Sequence, residues 1–263
     1  MQQNIHPTAI VEDGAIIGDN VSIGAFSYIG SKVKIGKNST IFSHTLIEGD
    51  TTIGEDNRIF SHAVVGSIPQ DLKFDGGDVK LIIGNGNTIR EFAFINTGTV
   101  GGGGVTKIGD NNLIMGYVHI GHDIQIGDSS IIANATNLGG HIEIGNSVVI
   151  GAMSAVHQFV KIGDYAMLAG ASALTQDLPP FCMAEGNRAS LRGLNLTGLR
   201  RNIQRDSIDR LKRAYRELFE DGKPIIDVAI DLVDRGSCSE VIKLSEFIQN
   251  SKRGIPYKRR NNV

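Results

Sequence analysis

Isoleucine, valine and leucine recur at every sixth position along most of this chain of 263 residues. The first run is Ile5, Val11, Ile17, Ile23, Ile29, Ile35, Ile41, Ile47, Ile53, Ile59 and Val65, and its phase resumes at Ile83, Ile89 and Ile95. The second run is Ile108, Ile114, Ile120, Ile126, Ile132, Leu138, Ile144, Ile150, Val156, Ile162, Leu168 and Leu174. A period of six fits neither an α-helix nor a simple strand. It is typical of a parallel β-helix built from hexapeptide repeats.

The repeat predicts which residues are neighbours in space from their separation in the sequence. Each hexad predicts one short strand and a turn, and three hexads make a triangular coil, so residue n lies beside residues n−18 and n+18, about 4.8 Å away. The residue two before each aliphatic also points inward and is small or apolar: Val118, Ile124, Ser130, Thr136, Ile142, Val148, Ser154, Val160, Ala166 and Ser172. A Gly often follows the aliphatic, as in Ile17-Gly18, where we expect it to adopt a positive φ at the turn.

Two segments interrupt the repeat. Residues 67–81 keep the phase and are predicted to loop out from a corner, whereas residues 98–107 contain four consecutive glycines and shift the phase by one. Long loops inside a compact domain are often functional. We therefore predict a β-helix over residues 1–178 with loops at 67–81 and 98–107, and a helical domain over residues 179–263 that begins at Pro179-Pro180.

The C-terminal part has helical periodicity from about Asn195. One helix is predicted from the apolar face of Ile208, Leu211, Tyr215, Leu218 and Phe219, with Asp206 or Ser207 as its N-cap. Two shorter helices are predicted at 225–233 and 240–248. The basic, polar segment 252–263 is predicted to be loosely held.

Composition narrows the class of protein. The net charge of −2 argues against a nucleic-acid partner. No apolar run approaches the ~20 residues of a transmembrane helix. The N-terminus is polar, without a signal peptide, and the two cysteines, Cys182 and Cys238, are interpreted as reduced thiols. We therefore predict a cytoplasmic protein without a transmembrane segment.

Seven histidines carry the candidate chemistry. They are His6, His44, His62, His119, His122, His141 and His157. None occupies an inward position of its hexad, so all are expected to project outward or to lie at corners. Imidazole titrates near neutrality and is suited to general base catalysis.

The eighteen-residue rule brings several of these histidines together. His122 lies beside Gly140, and Gly140 lies beside Gln158, whereas His157 lies beside Gly139. We therefore expect His122, His141, His157 and Gln158 to cluster on one face, next to glycine N–H groups that suit an oxyanion hole. Asp123 could fix the tautomer of His122 if the two residues lie at a turn.

Two other interpretations compete with this one. A β-helix can serve only as a scaffold, although the Thr-x-Thr ladder of ice-binding β-helices is not found here. Three histidines also resemble the zinc site of γ-class carbonic anhydrases, but that family has a His-x4-His spacing and this chain has His119-x2-His122. We therefore predict no metal site.

Ordered motifs in this chain resemble one acyltransferase family. They are His119-Ile120-Gly121-His122-Asp123, Leu138-Gly139-Gly140-His141, Val156-His157-Gln158-Phe159, Pro69-Gln70-Asp71-Leu72-Lys73, Asp177-Leu178-Pro179-Pro180 and Glu185-Gly186-Asn187. The family is that of the acyl-[acyl-carrier-protein]–UDP-N-acetylglucosamine O-acyltransferases, which begin lipid A synthesis. The resemblance covers the whole chain. It implies a left-handed β-helix, a homotrimer with sites between subunits, acyl carrier protein as donor and partner, and no cofactor.

The resemblance also implies residue roles. His122 matches the general base, Asp123 its orienting carboxylate and Gly140 the oxyanion donor. Gly170 matches the position that limits acyl-chain length. The residues that match substrate-binding positions are Asp71, Lys73, His119, His141, His157, Gln158, Asn195 and Arg201. Basic residues that could dock the acidic carrier protein are Arg200, Arg201, Arg205, Arg210, Lys212 and Arg213.

The chain departs from the family pattern at four places. Asn96-Thr97 replaces a His-Arg pair, Gly121 an Ala, Thr197 a Glu and Asn202 an Arg. The first change could alter recognition of the sugar, and the last two weaken the assignments around Asn195 and Arg201. The acceptor is UDP-N-acetylglucosamine or a 3-amino analogue, so the product is an ester or an amide. A coenzyme A-dependent hexapeptide acetyltransferase is the alternative.

The position of Gly170 gives an independent prediction about assembly. Gly170 is 48 residues after His122, which is two coils and two-thirds, so it lies on a different face of the prism. One groove can contain both residues only if faces of two prisms meet.

Overall fold

The computed structural model describes residues 4–257, and short parallel strands wind through most of them as a three-sided prism. The first fourteen strands are β1 (Asn4–Ile5), β2 (Ile10–Val11), β3 (Ile16–Ile17), β4 (Ser22–Ile23), β5 (Tyr28–Ile29), β6 (Lys34–Ile35), β7 (Thr40–Ile41), β8 (Leu46–Ile47), β9 (Asp50–Ile53), β10 (Arg58–Ile59), β11 (Val64–Ser67), β12 (Lys80–Ile83), β13 (Thr88–Ile89) and β14 (Phe94–Asn96). The next twelve are β15 (Val105–Ile108), β16 (Leu113–Ile114), β17 (His119–Ile120), β18 (Gln125–Ile126), β19 (Ile131–Ile132), β20 (Asn137–Leu138), β21 (Glu143–Ile144), β22 (Val149–Ile150), β23 (Ala155–Val156), β24 (Lys161–Ile162), β25 (Met167–Leu168) and β26 (Ala173–Leu174). Each coil contributes one strand to each of three faces.

The three faces are parallel sheets in which every third strand is a neighbour. The first face contains β1, β4 and every third strand to β25, the second contains β2 to β26, and the third contains β3 to β24. Regular neighbours pair eighteen residues apart, as in Asn4 with Ser22 and His119 with Asn137. The predicted neighbourhood rule is therefore confirmed outside the two insertions.

The prism interior contains both predicted rows of side chains. The aliphatic of each hexad is buried from Ile23 onward, and the ten residues predicted to point inward from Val118 to Ser172 are all buried. On the first face part of the inner row is polar. Asn87 accepts a hydrogen bond from the Asn112 N–H at 2.8 Å and donates to Asn57 at 3.1 Å, so these buried amides satisfy one another across coils.

The turns correct the expected role of glycine. Positive φ occurs at the third residue after the aliphatic, and most of these positions are not glycine, as at His62 (φ 65°) and Asp123 (φ 58°). At Gly18 the glycine directly after the aliphatic is required for a different reason. A Cβ at Gly18 would lie 2.8 Å from the Lys37 nitrogen of the next coil, so a side chain would push stacked coils apart.

The two insertions are shorter than predicted because the strands beside them are longer. β11 continues to Ser67, and β12 begins at Lys80 and pairs with β9. The first insertion is therefore 68–79 rather than 67–81. The second is 97–104 rather than 98–107, because β15 already begins at Val105 and pairs with β12. It contains a short 3-10 helix, Val100–Gly102.

The sheet extends beyond the predicted boundary at 178. β27 (Cys182–Glu185) pairs in parallel with β25, and β28 (Ser190–Leu194) pairs with β27 in the antiparallel direction. Ala184 is buried in the next inward position of the first face. The period of six is lost because this last coil is not continued on all three faces.

Four helices follow: α1 (Leu196–Asn202), α2 (Arg205–Phe219), α3 (Ile225–Asp234) and α4 (Ser239–Asn250). The predicted N-caps of α2 are wrong, because the cap is Gln204 and Asp206 lies inside the first turn, where it pairs with Arg210 at 2.9 Å. Within residues 4–257 no helix has both the length and the apolar character needed to cross a bilayer.

Residues 252–257 of the final segment are held against the prism, contrary to prediction. The Leu191 N–H donates to the Pro256 carbonyl at 2.7 Å, and Ile255 is buried. The rest of that predicted segment, 258–263, lies outside the described residues.

Candidate active site

The histidine corner is the edge of the prism that follows the second face. It contains His122, Asp123, Gly140, His141, Gln158 and Phe159, which come from three successive coils. Asp123 and His141 adopt positive φ angles of 58° and 60°, so their side chains diverge from the strand direction. His122, Asp123 and His141 therefore meet at this corner.

His122 and Asp123 form a hydrogen-bonded pair. The His122 Nδ1 lies 2.8 Å from the Asp123 Oδ2, and Asp123 is 5% exposed. Adjacent residues of a strand point apart, but Asp123 lies at the turn with a positive φ, and its side chain faces His122. An ionised carboxylate only accepts hydrogen bonds, so it favours the tautomer that carries a proton on Nδ1 and leaves the Nε2 lone pair free.

Gly140 lies directly against the free side of this imidazole. A Cβ at Gly140 would lie 2.5 Å from the His122 Cε1 and 2.7 Å from its Nε2. Within residues 4–257 the Gly140 N–H has no hydrogen-bond acceptor. This corner therefore presents a basic nitrogen and an available N–H donor to the same region.

His141 completes the corner as a flat platform. Its ring stacks on Phe159 with centroids 4.5 Å apart and meets His122 edge-on at 4.9 Å. Its Nδ1 lies 3.8 Å from the Asp123 Oδ2. Burial lowers the pKa of His141, partly opposed by the negative charge of Asp123, so the neutral ring is favoured near neutrality.

His119 lies on the second face next to this corner. Its Nε2 is 3.1 Å from the Asn96 Oδ1, and the Asn96 amide nitrogen donates to the carbonyls of Ser67 and Ile68. The Asn96 oxygen is therefore an acceptor, and His119 carries its proton on Nε2. Burial lowers the pKa of His119, and the nearby His122 lowers it further.

His157 and Gln158 lie one coil further along and are exposed. The Arg253 guanidinium lies 3.3 Å from the His157 Nδ1, and it also donates from Nε to the Thr175 carbonyl at 3.0 Å. Arg253 belongs to the C-terminal segment, and sequence reasoning missed this contact because no repeat places the tail.

The first insertion bends back toward the histidines. The Asp71 carboxylate accepts a hydrogen bond from the Lys73 N–H at 3.0 Å. Burial lowers the pKa of His141, and the charge of Asp71 opposes a small part of this lowering. Lys73 is exposed. The structure therefore brings Asp71 within electrostatic reach of the corner in the same chain.

Gly170 lies on a different edge, the corner that follows the first face. It is exposed and does not adopt a positive φ, and a Cβ there would lie 3.3 Å from the Ala152 carbonyl oxygen. The neighbouring first face presents an outward apolar row in register: Leu113, Ile131, Val149 and Met167. Within one chain this row and the histidine corner do not share a face.

The two predicted tail residues lie away from the histidine corner of the same chain. The Asn195 side chain caps α1 by accepting the Gly198 N–H at 3.1 Å and donates to the Tyr165 carbonyl at 2.9 Å, on the corner after the third face. Arg201 is exposed on α1.

His122, Asp123 and His141 could also hold a metal ion, because their ligand atoms lie within 4.8 Å of one another. The carboxylate is, however, already occupied by donors. In addition to His122, it accepts the Thr99 hydroxyl at 2.6 Å and the Thr99 N–H at 2.9 Å. Both carboxylate oxygens therefore already accept hydrogen bonds from protein groups.

Comparison with known proteins identifies the family. Residues 105–140 match the bacterial transferase hexapeptide model, and residues 177–256 match the model of UDP-N-acetylglucosamine O-acyltransferase domain 2. An acyl-[acyl-carrier-protein]–UDP-N-acetylglucosamine O-acyltransferase of Sulfurimonas denitrificans is 72% identical over 98% of each chain. That of Sulfurovum sp. is 62% identical over 98% of this chain and 99% of its own.

The chain belongs to the acyl-[acyl-carrier-protein]–UDP-N-acetylglucosamine O-acyltransferase family. A solved UDP-N-acetylglucosamine acyltransferase from Campylobacter jejuni superposes with a TM-score of 0.94 at 48% identity, covering 97% of this chain and all of that one. The fold is the left-handed parallel β-helix with a C-terminal helical domain. End-to-end similarity disfavours the coenzyme A alternative, since hexads alone would match only the prism.

The departures from the family pattern have structural counterparts. Asn96 links the first insertion to His119, as described above. Thr97 is 2% exposed, and its hydroxyl has no hydrogen-bond partner among residues 4–257. The Asn202 amide donates to the Gly198 carbonyl at 3.0 Å within α1. The change at Thr197 has no structural explanation.

Proposed function

We propose that this protein transfers an (R)-3-hydroxyacyl chain from acyl carrier protein to the 3-position of UDP-N-acetylglucosamine, the first step of lipid A biosynthesis. The observation that carries the proposal is the histidine corner, where Asp123 holds His122 at 2.8 Å and Gly140 lies against the His122 Nε2. The names of the relatives point to the same donor and acceptor.

His122 is the general base. With its Nδ1 proton directed to Asp123, the neutral ring offers Nε2 to the sugar 3-hydroxyl. As the proton moves to Nε2, the sugar oxygen attacks the thioester carbonyl carbon. The buried carboxylate stabilises the imidazolium that forms, which is the role of an orienting carboxylate in other base–carboxylate pairs.

Gly140 donates its N–H to the oxyanion of the tetrahedral intermediate. Oxyanion donors act because they are fixed before the charge develops. Collapse of the intermediate breaks the carbon–sulfur bond, and the proton held by His122 passes to the phosphopantetheine thiolate. Neither a metal nor a cofactor takes part, and no covalent enzyme intermediate forms.

The remaining histidines and the first insertion bind the sugar nucleotide. Neutral His119 directs its Nε2 proton to Asn96 and leaves Nδ1 as an acceptor, and His141 offers a flat ring surface. The first insertion carries Asp71, whose charge acts on His141, and the exposed Lys73. The substrate-binding residues are Asp71, Lys73, His119, His141, His157, Gln158, Asn195 and Arg201. Because Asn195 and Arg201 lie away from the corner of their own chain, they serve a neighbouring copy.

The active protein is a homotrimer with its sites between copies. The acyl chain lies on the apolar row that ends near Gly170, and this row and His122 lie on different faces of one chain. A second copy is therefore needed to complete the groove. The exposed stack of Phe26, His44, His62, Phe92 and Tyr117 on the corner after the first face offers further surface for that contact.

The carrier protein docks on basic residues of α1 and α2. Arg200, Arg201 and Arg213 are exposed there. Acidic partners are attracted to such a surface, and the attraction weakens with salt. The reaction takes place in the cytoplasm, where acyl carrier protein supplies the thioester.

The identities of the donor and of the acceptor are tested together by assaying each donor with each acceptor. Purified protein is mixed with a 3-hydroxyacyl thioester of either acyl carrier protein or coenzyme A, and with UDP-N-acetylglucosamine or its 3-amino analogue. Mass spectrometry of the nucleotide product distinguishes ester from amide. We expect product from the carrier-protein donor. Product from coenzyme A alone, or from neither donor, would overturn the proposal.

A further inference from the structure

The glycine-rich insertion, residues 97–104, is built around the Asp123 carboxylate. The Thr99 hydroxyl donates to Oδ2 at 2.6 Å and the Thr99 N–H donates to Oδ1 at 2.9 Å. Thr99 is 8% exposed and Asp123 is 5% exposed, so solvent competes little with either bond. Both carboxylate oxygens are therefore held by one residue.

Two glycines leave room for this arrangement. A Cβ at Gly98 would lie 2.8 Å from the Asp123 Oδ1, and a Cβ at Gly102 would overlap the carboxylate itself. The Gly102 N–H donates to the Thr99 Oγ1 at 3.1 Å, which directs the hydroxyl proton away from Gly102 and toward Asp123. The insertion thus packs closely around the carboxylate.

The Asp123 backbone is fixed separately. Its N–H donates to the Thr106 Oγ1 at 2.8 Å, so the main chain is held by β15 and the side chain by the insertion. Without Thr99 the carboxylate could rotate about its own side-chain bonds while the corner kept its path. His122 would then lose its fixed acceptor, and His141 would lose a negative charge held 3.8 Å from its Nδ1.

We propose that Thr99 is a positioning residue that acts through Asp123. It fixes the carboxylate so that Oδ2 accepts the His122 Nδ1 proton and the basic nitrogen stays aimed at the acceptor hydroxyl. This inference rests on the proposed function of His122. It assigns a role in the reaction to the second insertion, which differs from the sugar-nucleotide role of the first.

The test is a double-mutant cycle on kcat. Thr99→Val keeps the shape of the side chain and removes the hydroxyl. We expect kcat to fall roughly 10- to 100-fold, since a hydrogen bond to a charged group is lost, while KM for the sugar nucleotide stays within about twofold. Thr99→Ser retains the hydroxyl and should recover most of the rate. In an Asp123→Ala background, Thr99→Val should change kcat by less than about twofold, because its target is gone.

A matched control separates positioning from loss of a buried hydroxyl. Thr45 is a buried residue on the second face whose hydroxyl donates to the Phe42 carbonyl at 2.8 Å, outside the histidine corner. Thr45→Val should lower the thermal midpoint as Thr99→Val does, with kcat unchanged. If Asp123→Ala does not fold, Asp123→Leu, which also lacks side-chain oxygens, takes its place in the cycle.

The outcomes separate the two claims. If Thr99→Val lowers kcat equally with and without the carboxylate, Thr99 only caps the 3-10 helix and the inference is wrong, although His122 keeps its role. If Thr99→Val leaves kcat unchanged, the inference is also wrong. If removal of the carboxylate itself leaves kcat unchanged, both this inference and the proposed role of the His122–Asp123 pair fail.

Discussion

Replacement of Gly140 by alanine should disable the reaction without unfolding the protein. The new Cβ would lie 2.5 Å from the His122 Cε1, whereas ordinary contacts of a Cβ begin at 3.4 Å, so the imidazole must move by about 0.9 Å. Gly140 does not adopt a positive φ, and the substitution therefore adds no backbone strain there. A displacement of about 1 Å at a reacting group can cost on the order of 10²-fold in rate.

The assay is product formation from a 3-hydroxyacyl carrier-protein donor at saturating substrate, together with thermal unfolding. We expect kcat of Gly140→Ala to fall roughly 10²-fold, with a thermal midpoint close to that of the parent. The matched control is Gly30→Ala, on the same edge of the prism, where the nearest atom to a new Cβ is the Glu48 Cα at 3.4 Å. A folded Gly140→Ala variant with kcat within twofold of the parent would refute the position assigned to His122.

Three further predictions concern the site and its surroundings. Burial lowers the pKa of His119 below its ordinary value of 6.5, so the unfolded chain binds more protons than the folded one as pH falls through 6.5, and the free energy of unfolding should decrease there. Urea titrations between about pH 8 and about pH 5 should show a smaller decrease in this free energy for His119→Gln than for the parent. Gly170→Met should block the binding of about four methylenes of a long acyl chain, each contributing about 0.8 kcal/mol. The ratio of the rate with a fourteen-carbon donor to that with a ten-carbon donor should therefore fall on the order of 10²-fold. An unchanged ratio would show that Gly170 does not limit chain length. Incubation with EDTA should leave activity intact, and loss of activity that zinc restores would show that His122, Asp123 and His141 hold a catalytic metal.

The period of six predicted the prism and the meeting of His122 with Gly140. Both follow from one regular feature, because strands stacked eighteen residues apart place side chains in columns whatever their identity. The same rule placed Gln158 beside Gly140 and His157 beside Gly139. A Cβ at Gly139 would lie 2.9 Å from the Gln158 nitrogen, so these two coils are in close contact here.

The expected role of the repeat glycines was wrong for a physical reason. A sequence pattern shows where glycine is preferred. It does not show whether glycine is preferred because φ is positive or because a Cβ would collide with neighbouring atoms. At Gly18 the constraint is the neighbouring coil, and the left-handed turn residue comes two positions later at Asn20 (φ 59°). Asparagine tolerates that conformation better than most residues, and Asn20 was therefore a turn signal that the prediction did not use.

Three contacts with the candidate site residues Asp123, His119 and His157 could not be predicted from the sequence. Thr99 reaches Asp123 from the second insertion, Asn96 contacts His119 beside the first, and Arg253 contacts His157 from the C-terminal segment. No period sets the path of an insertion or a tail, so their partners depend on tertiary packing. The signals at the second insertion were a run of four glycines and a shift of the phase by one residue. The cause of the glycine run is now visible at Gly102, where the carboxylate occupies the space of a side chain.

The central claim is that His122 removes the proton from the acceptor. The most direct measurement is single-turnover acyl transfer by His122→Ala compared with the parent, using a 3-hydroxyacyl carrier-protein donor and UDP-N-acetylglucosamine. The side chain lies outside the prism core, so the variant should fold with the same oligomeric state and thermal midpoint. A general base contributes roughly 10²- to 10⁴-fold, and we expect the rate of the chemical step to fall by that amount. A folded variant that transfers the acyl chain at the parental rate would contradict the mechanism.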